Sequence, residues 1–343
     1  MHKLILFWIM LRLFFGLFLL GWGTISAQQN KELVIAFGSC NKQNEENVLW
    51  EEVLKNNPDV WIWGGDNIYS DTDDMKKMKN DYDQQLQQKG YAALANSAMI
   101  MGTWDDHDYG VNDGGAEFHK KKESQQLLLD FLGVSDNDPR RSREGVYYSK
   151  IINVGSKHIK IIVLDTRYFR TGLTKSPEKT KRYQHNKYGK GTVLGKEQWN
   201  WLKKELESSE ADFNIIVSSI QVLSDQHGFE TWGNFPHEVK QLKMLIKTSG
   251  AKGVLFLSGD RHISEFSVTG AEGVLYPLVD FTSSGLTHSY TGYSSEANPY
   301  RMGNVVSQIS FGLLKINVEN KKVVMQMRGK GNVLLQEYIQ VYP

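Results

Sequence analysis

Several apolar runs in this chain end on side chains that can hold a metal ion. Leu33-Val34-Ile35-Ala36-Phe37 leads into Gly38-Ser39-Cys40, and Val60-Trp61-Ile62-Trp63 leads into Gly64-Gly65-Asp66. The run from His158 to Leu164 ends at Asp165, and Gly253 to Leu257 leads into Ser258-Gly259-Asp260. Met99-Ile100-Met101 runs into Thr103-Trp104-Asp105-Asp106-His107-Asp108, an imidazole set among three acids. Asp66 and Tyr69 stand three positions apart, and Asp260 and His262 alternate around Arg261. In an extended segment alternate residues share a side, so Asp260 and His262 can reach one ion together. Taken singly each piece is ordinary, since Asp after a strand is often a cap or turn residue and Tyr69 could be a core aromatic. Taken together they gather carboxylates that would repel one another unless a divalent or trivalent cation lay between them.

The elements that must position these groups are strands with helical crossovers. Strand 33–37, a helix carrying Val48, Leu49, Trp50, Val53 and Leu54 on one face, and strand 60–63 make a parallel crossover unit within about thirty residues. Val146 to Val154 and His158 to Leu164 flank Gly155-Ser156 as a hairpin. A helix over 196–208, with Trp199, Leu202 and Leu206 at helical spacing, feeds the strand Ile215-Ile216-Val217. The tail turns antiparallel through 313–318, a turn at Glu319-Asn320, 323–327 and 333–341. In open α/β sheets ligands bind beyond the carboxyl ends of the strands, which is where the acids fall. Gly191 to Glu197 looks faintly like a phosphate loop, but its glycine spacing is wrong and Glu197 stands where Ser or Thr should bind magnesium.

Composition narrows the function classes. Hydrophobic residues make up 40% and charged residues 23%, with a formal net charge of +1. That is ordinary for a globular domain and advertises neither nucleic acid nor a stable protein partner. Residues 32–343 contain no low-complexity linker and suit one large domain. The basic stretch from Thr171 to Gly191 reads as a solvated surface loop. Residues 1–27 read as a secretory signal: Lys3 and Arg12, an apolar run from Leu4 to Trp22, then small residues and cleavage after Ala27. The competing reading is an uncleaved anchor, opposed by Arg12 in the middle of the run. Export would be to a periplasmic or extracellular space. The single cysteine, Cys40, excludes an internal disulfide and needs burial or a metal to protect it.

These segments resemble the calcineurin-like metallophosphoesterases, and within them the alkaline phosphatase D (PhoD) family, over nearly all of residues 32–343. The resemblance lies in Phe37-Gly38-Ser39-Cys40, Gly65-Asp66-Asn67-Ile68-Tyr69, Trp104-Asp105-Asp106-His107-Asp108, Leu164-Asp165-Thr166-Arg167 and Ser258-Gly259-Asp260-Arg261-His262. Leu194-Gly195 through Trp201-Leu202 and Phe311-Gly312-Leu313 are further landmarks; Asp108 departs from the family's usual glutamate. The resemblance implies an α/β, four-layer metallophosphoesterase-type sandwich, two mixed β-sheets flanked by helices. It implies Fe3+ held by Cys40, Asp66, Tyr69 and His262, a pairing that suits thiolate and phenolate. It also implies a second ion, Ca2+, held by Asp66, Asp106 and Asp260, whose hard oxygens suit it. His107 would sit beside the substrate, and Arg167 would grip phosphate or else hold Asp165 in place.

The implied reaction is hydrolysis of phosphodiesters or phosphomonoesters, with water made nucleophilic at the metal. The wider superfamily often places a histidine ligand on the strand corresponding to 215–219. That position here reads Ser218-Ser219-Ile220-Gln221, with His227 only in a following loop, so an oxygen-rich second site is expected. An extra N-terminal β-domain of longer family members has no counterpart between the signal and the first strand. Two alternatives stand beside the enzyme. One is a non-catalytic metal-containing protein that binds a phosphate ligand. The other is a phospholipase at the cell envelope, acting on lipid or polymer through an apolar groove of Trp232, Phe235, Tyr276, Tyr290, Tyr293 and Tyr300, although core packing explains most of those aromatics.

Overall fold

Two β-sheets face one another, and residues of their central strands alternate between the seam and the outer helices. The computed structural model describes residues 32–343 apart from Ser294. The signal reading of residues 1–27 falls outside the described residues. The chain opens with β1 (Glu32–Gly38), a short helix α1 (Trp50–Leu54) and β2 (Val60–Gly64). Helices α2 (Met75–Gln87) and α3 (Lys89–Ser97) precede β3 (Met99–Thr103), and the single turn α4 (Asp106–Tyr109) and α5 (Lys121–Phe131) follow. The hairpin β4 (Tyr148–Val154) and β5 (Lys157–Val163) comes next, then a two-residue ladder of β6 (Thr174–Lys175) and β7 (Tyr183–Gln184). Helix α6 (Gly195–Glu207), β8 (Phe213–Val217), α7 (Pro236–Ser249) and β9 (Val254–Ser258) continue the chain. The last strands are β10 (Ser264–Thr269), β11 (Leu278–Ser283), β12 (Arg301–Val306), β13 (Ser310–Asn317), β14 (Lys322–Gly329) and β15 (Leu334–Val341).

The first sheet has the order β15-β14-β13-β1-β2-β3 and the second β12-β10-β11-β9-β8-β5-β4. Both are mixed. In the first, β1, β2 and β3 are parallel while β13, β14 and β15 run antiparallel. In the second, β5, β8, β9 and β11 are parallel, with β4 and β10 antiparallel beside them.

Alternation makes the layers. Ile35, Phe37 and Ile62 pack into the seam against Ile161, Val163, Ile215, Val217, Leu255 and Leu257 of the second sheet. Ala36, Trp61 and Trp63 turn outward onto Trp50, Tyr91 and Phe131 of the first helical layer. Ile162, Ile216 and Phe256 turn outward onto Leu202, Leu206, Leu242 and Ile246 of the second. The four-layer sandwich of the sequence reading is therefore the observed architecture. Parallel strands buried on both faces carry apolar residues continuously, as the text of β2, β8 and β9 does.

The differences from the sequence reading have physical causes. Helix α2 buries only Met78, Tyr82 and Gln85, so its apolar stripe is too thin to show as a period; Asp74 caps it by accepting from the amides of Lys76 and Lys77. The basic stretch 171–191 is more than a solvated face. The hydroxyl of its Tyr183 donates to Asp113 at 2.6 Å, and its Arg182 pairs with the same carboxylate at 2.7 Å. No helix among the described residues is long and apolar enough to cross a membrane.

Candidate metal centre

The strand ends bend sharply where the donors stand. Cys40, Asp66, Asp260 and His262 all adopt positive φ, at 59, 51, 68 and 54°. Non-glycine residues rarely do so, and such strain persists only where the surroundings over-determine it. Gly65, at φ 95°, lets the chain after β2 press against the chain after β3: a Cβ there would lie 2.6 Å from Cβ of Asp105. Asp108 ties the same two loops, accepting from the amides of Asp66 and Asn67 at 3.2 Å each and of Asp105 at 2.7 Å.

One cluster is soft. The fully buried Cys40 thiol lies 3.3 Å from Asp66 Oδ2 and 3.0 Å from Ser284 Oγ. The Tyr69 hydroxyl lies 3.3 Å from Asp66 Oδ2 and 2.9 Å from His262 Nε2. Ser284 accepts the His262 amide at 2.7 Å, which closes the ring of contacts. Burial pushes the thiol up to about 11, and burial with the neighbouring Cys40 and Asp66 raises the phenol as well. Ligand atoms of Cys40, Asp66 and His262 all lie within 4.8 Å of one another.

The other cluster is made of oxygens. Asp105, Asp106 and Asp260 come within the same 4.8 Å, and Asp66, Asp106 and His107 do likewise, so Asp66 belongs to both sides. Asp106 Oδ2 accepts from Asn112 at 2.8 Å and from the Asp113 amide at 2.6 Å. Its Oδ1 and the Oδ2 of Asp105 are buried with no partner. Burial raises Asp105 to about 8 despite Arg167 beside it, and burial with Asp105 raises Asp260. Burial opposes ionisation of Asp106 too, yet Arg167 and His107 hold it below the usual carboxylate range. Unpartnered buried oxygens among crowded acids are what a cation would satisfy, and the donors of both clusters fit bound metal.

His107 lies between the clusters. Its amide donates to Asp66 at 3.3 Å, its Nδ1 lies 2.8 Å from both Asp71 oxygens, and its ring stacks on Tyr69 at 4.1 Å. Burial opposes the imidazolium form, but Asp66, Asp71 and Asp106 outweigh it and raise the ring to about 10.

Two residues require correction. Arg167 is wholly buried and does not line the open cavity, so it is not placed to grip substrate phosphate. Its Nε meets Asp105 at 2.6 Å and its Nη1 meets Glu230 at 2.7 Å, and Arg170 pairs with Glu230 at 2.8 Å. Nor does its guanidinium hold Asp165. That carboxylate is a structural hub, accepting from Trp104 Nε1 and from the amides of Val146, Arg167 and Tyr168 at 2.9 to 3.0 Å.

His227 is buried, with Nδ1 accepting the Phe229 amide at 3.1 Å, and joins none of the donor clusters. Sequence reasoning passed over Asp71, Asn112, Ser219, Glu230, Ser284 and His288. His288 sits 4.5 Å ring to ring from His262. All six reach the site from loops, where no periodic pattern flags them.

A cavity of about 490 Å³ opens over the clusters, lined by Asp106, His107, Asp260 and His262 on one side. Among known proteins, the chain is similar to an alkaline phosphatase D of Bacillus subtilis (strain 168), at 28% identity over 110 residues. That match covers 30% of this chain and 19% of the relative, so it spans about a fifth of the relative's length. Its structure is similar to that of PhoD, with TM-score 0.71 and 17% identity over 90% of this chain and 68% of the other. It is also similar to the purple acid phosphatase PPD1 of yellow lupin, with TM-score 0.59 and 11% identity over 91% and 54%. A third likeness is to GAP50 of Plasmodium, described as an anchor in the inner membrane complex, with TM-score 0.58 and 17% identity over 91% and 89%. At such identities these likenesses establish the shared fold. The family model of the PhoD-like phosphatases matches residues 35–337, and the chain belongs to that family.

Proposed function

We propose that this chain is an exported metal-dependent phosphoesterase that hydrolyses phosphodiesters, phosphomonoesters or both. The carrying observation is the shared carboxylate: a ligand atom of Asp66 lies within 4.8 Å of those of Cys40 and His262 and also of those of Asp106 and His107, the last three lining an open cavity with Asp260. The fold does not carry the reading by itself, since the similar GAP50 is described as an anchor. In this reading Cys40, Asp66, Tyr69 and His262 hold Fe3+, and Asp66, Asp106 and Asp260 hold Ca2+, with Asp105 close by. The bound cations would neutralise phosphoryl charge and lower the pKa of a water toward neutrality.

The chain's own residues do the rest. Asp71 takes the Nδ1 side of His107, which leaves Nε2 as the nitrogen able to face a phosphoryl or leaving-group oxygen. The Asp71 hydrogen bond favours the charged ring, in which Nε2 carries the proton that the leaving alkoxide needs. Asn112 and the Asp113 amide fix Asp106, and Arg167 with Ser219 fixes Asp105. Asp108 keeps the two loops in register, a positioning task rather than a chemical one.

The phospholipase alternative loses its groove. Trp232 and Phe235 are fully buried in the second helical layer, and Tyr276 packs between two cores; of the six aromatics only Tyr290 lines the cavity. The binding-protein alternative would lead one to expect a lost bridging carboxylate or catalytic histidine, and Asp66 and His107 are both present. Export rests on the composition of residues 1–27, and an intact mass beginning after Ala27 in protein from the exported fraction checks it. The decisive experiment pairs metal analysis of protein purified without chelator with hydrolysis of bis-p-nitrophenyl phosphate and p-nitrophenyl phosphate. Bound iron and calcium with turnover lost on chelation support the reading; metal without turnover of either ester returns it to a binding role.

A further inference from the structure

Three flat groups share the cavity with the donors, among polar and acidic side chains. Phe229, Arg261 and Tyr290 line it, and none of them belongs to a donor cluster. Arg261 lies between Asp260 and His262 in the chain, and its guanidinium sits 4.3 Å from the Phe229 ring centroid. Glu296 holds it in that pose through a 2.8 Å ion pair. Tyr290 is anchored to the same segment, its amide donating to the His262 carbonyl at 2.7 Å, while its side chain stays 46% exposed. Its ring meets Tyr293 edge-on at 6.4 Å, which leaves a half-open aromatic face, fixed by its backbone to a donor residue, on the cavity.

Charge does not explain the wall either. Both arginines that line the cavity are already paired, Arg261 with Glu296 and Arg182 with Asp113. The wall therefore offers the exposed Tyr290 ring and the rim of the His227–Phe229–Arg261 stack more than free positive charge. Aromatic and guanidinium planes take flat rings by stacking.

We propose that Tyr290 and the Phe229–Arg261 pair form a leaving-group subsite that selects phosphoesters carrying a flat ring, of the nucleobase class, over aliphatic ones. This rests on the phosphoesterase reading above. Hydrolysis itself is unchanged: water adds to phosphorus, the P–O bond to the alcohol breaks, and the alcohol departs with a proton.

The test compares adenosine 5′-phosphate with ribose 5-phosphate, and the methyl phosphodiester of each. Within a pair the same kind of alkoxide leaves, so the base is the difference measured. We expect kcat/KM to favour the base-bearing member by about tenfold or more. Y290L should bring the ratio toward one, and Y290F, which keeps the ring, should retain it. A wild-type ratio near one overturns the subsite, as does a ratio that survives Y290L. It is also overturned if neither pair is hydrolysed by protein that still cleaves bis-p-nitrophenyl phosphate. Failure to cleave any ester, the activated one included, removes the phosphoesterase reading and the subsite with it.

Discussion

The two halves of the metal centre solve the same problem differently. In the soft half, Cys40, Tyr69 and His262 contact one another's neighbours in a closed ring through Asp66 and Ser284. A thiol and a phenol are neutral at ordinary pH, so this half can hold its shape through its own hydrogen bonds. The oxygen half is satisfied only in part by its neighbours. Asp105 and Asp106 each keep one buried oxygen without a partner, and Arg167 already serves Asp105 and Glu230. Donors that can be neutral preorganise themselves, whereas crowded carboxylates wait for a cation.

The strongest way to break this contrast is at the residue both halves share. Asp66→Asn should empty both halves of metal and lower turnover of bis-p-nitrophenyl phosphate by more than the about 10²–10⁴-fold of a lost proton donor. Retention of either ion would show that Asp66 bridges nothing. Next, His107→Ala should cut turnover by about 10²–10⁴-fold while the metal content of both halves stays near the wild-type value. Wild-type turnover would end its proposed role. Cys40→Ser acts on one half alone: iron retention should weaken and any visible tyrosinate–iron absorption should bleach, with calcium unchanged. Unaltered iron and colour would leave Cys40 as a buried core residue.

Arg167→Met sharpens the contrast from the other side. Removing one member of a buried ion-paired group costs about 3–5 kcal/mol, readable by denaturant unfolding. Calcium affinity should fall with it while iron stays bound. Equal loss of both ions would mean that the network supports the centre as a whole.

The donors themselves were readable because each stands at the end of an apolar run: Cys40 after β1, Asp66 after β2, Asp106 after β3 and Asp260 after β9. The layers followed from the family resemblance, since the buried parallel strands β2, β8 and β9 are too continuously apolar to show them. The supporting groups were not readable. Ser284 follows β11, a strand that sequence reasoning did not separate from its surroundings, and Asp71, Asn112 and Glu230 lie in loops whose course depends on tertiary contacts. Arg167 shows the limit most clearly. An arginine two residues past a strand-end aspartate can grip phosphate or brace the fold, and burial beside Asp105 and Glu230 decides for the second. Helix α2 escaped for the opposite reason, being nearly polar all round.

The donors are also divided between the sheets. Cys40, Asp66 and Asp106 follow strands of the first, and Asp260 and His262 follow β9 of the second. Any ion held by both groups spans the seam in a chain whose single cysteine, Cys40, provides no covalent staple. If escape proceeds by parting of the sheets at that end, the dwell time of the ion and the opening rate of the seam become one clock. Chelator-driven metal loss and amide exchange at the ends of β1 and β9 should share a rate, and separate rates would show that the ion leaves by way of the open cavity.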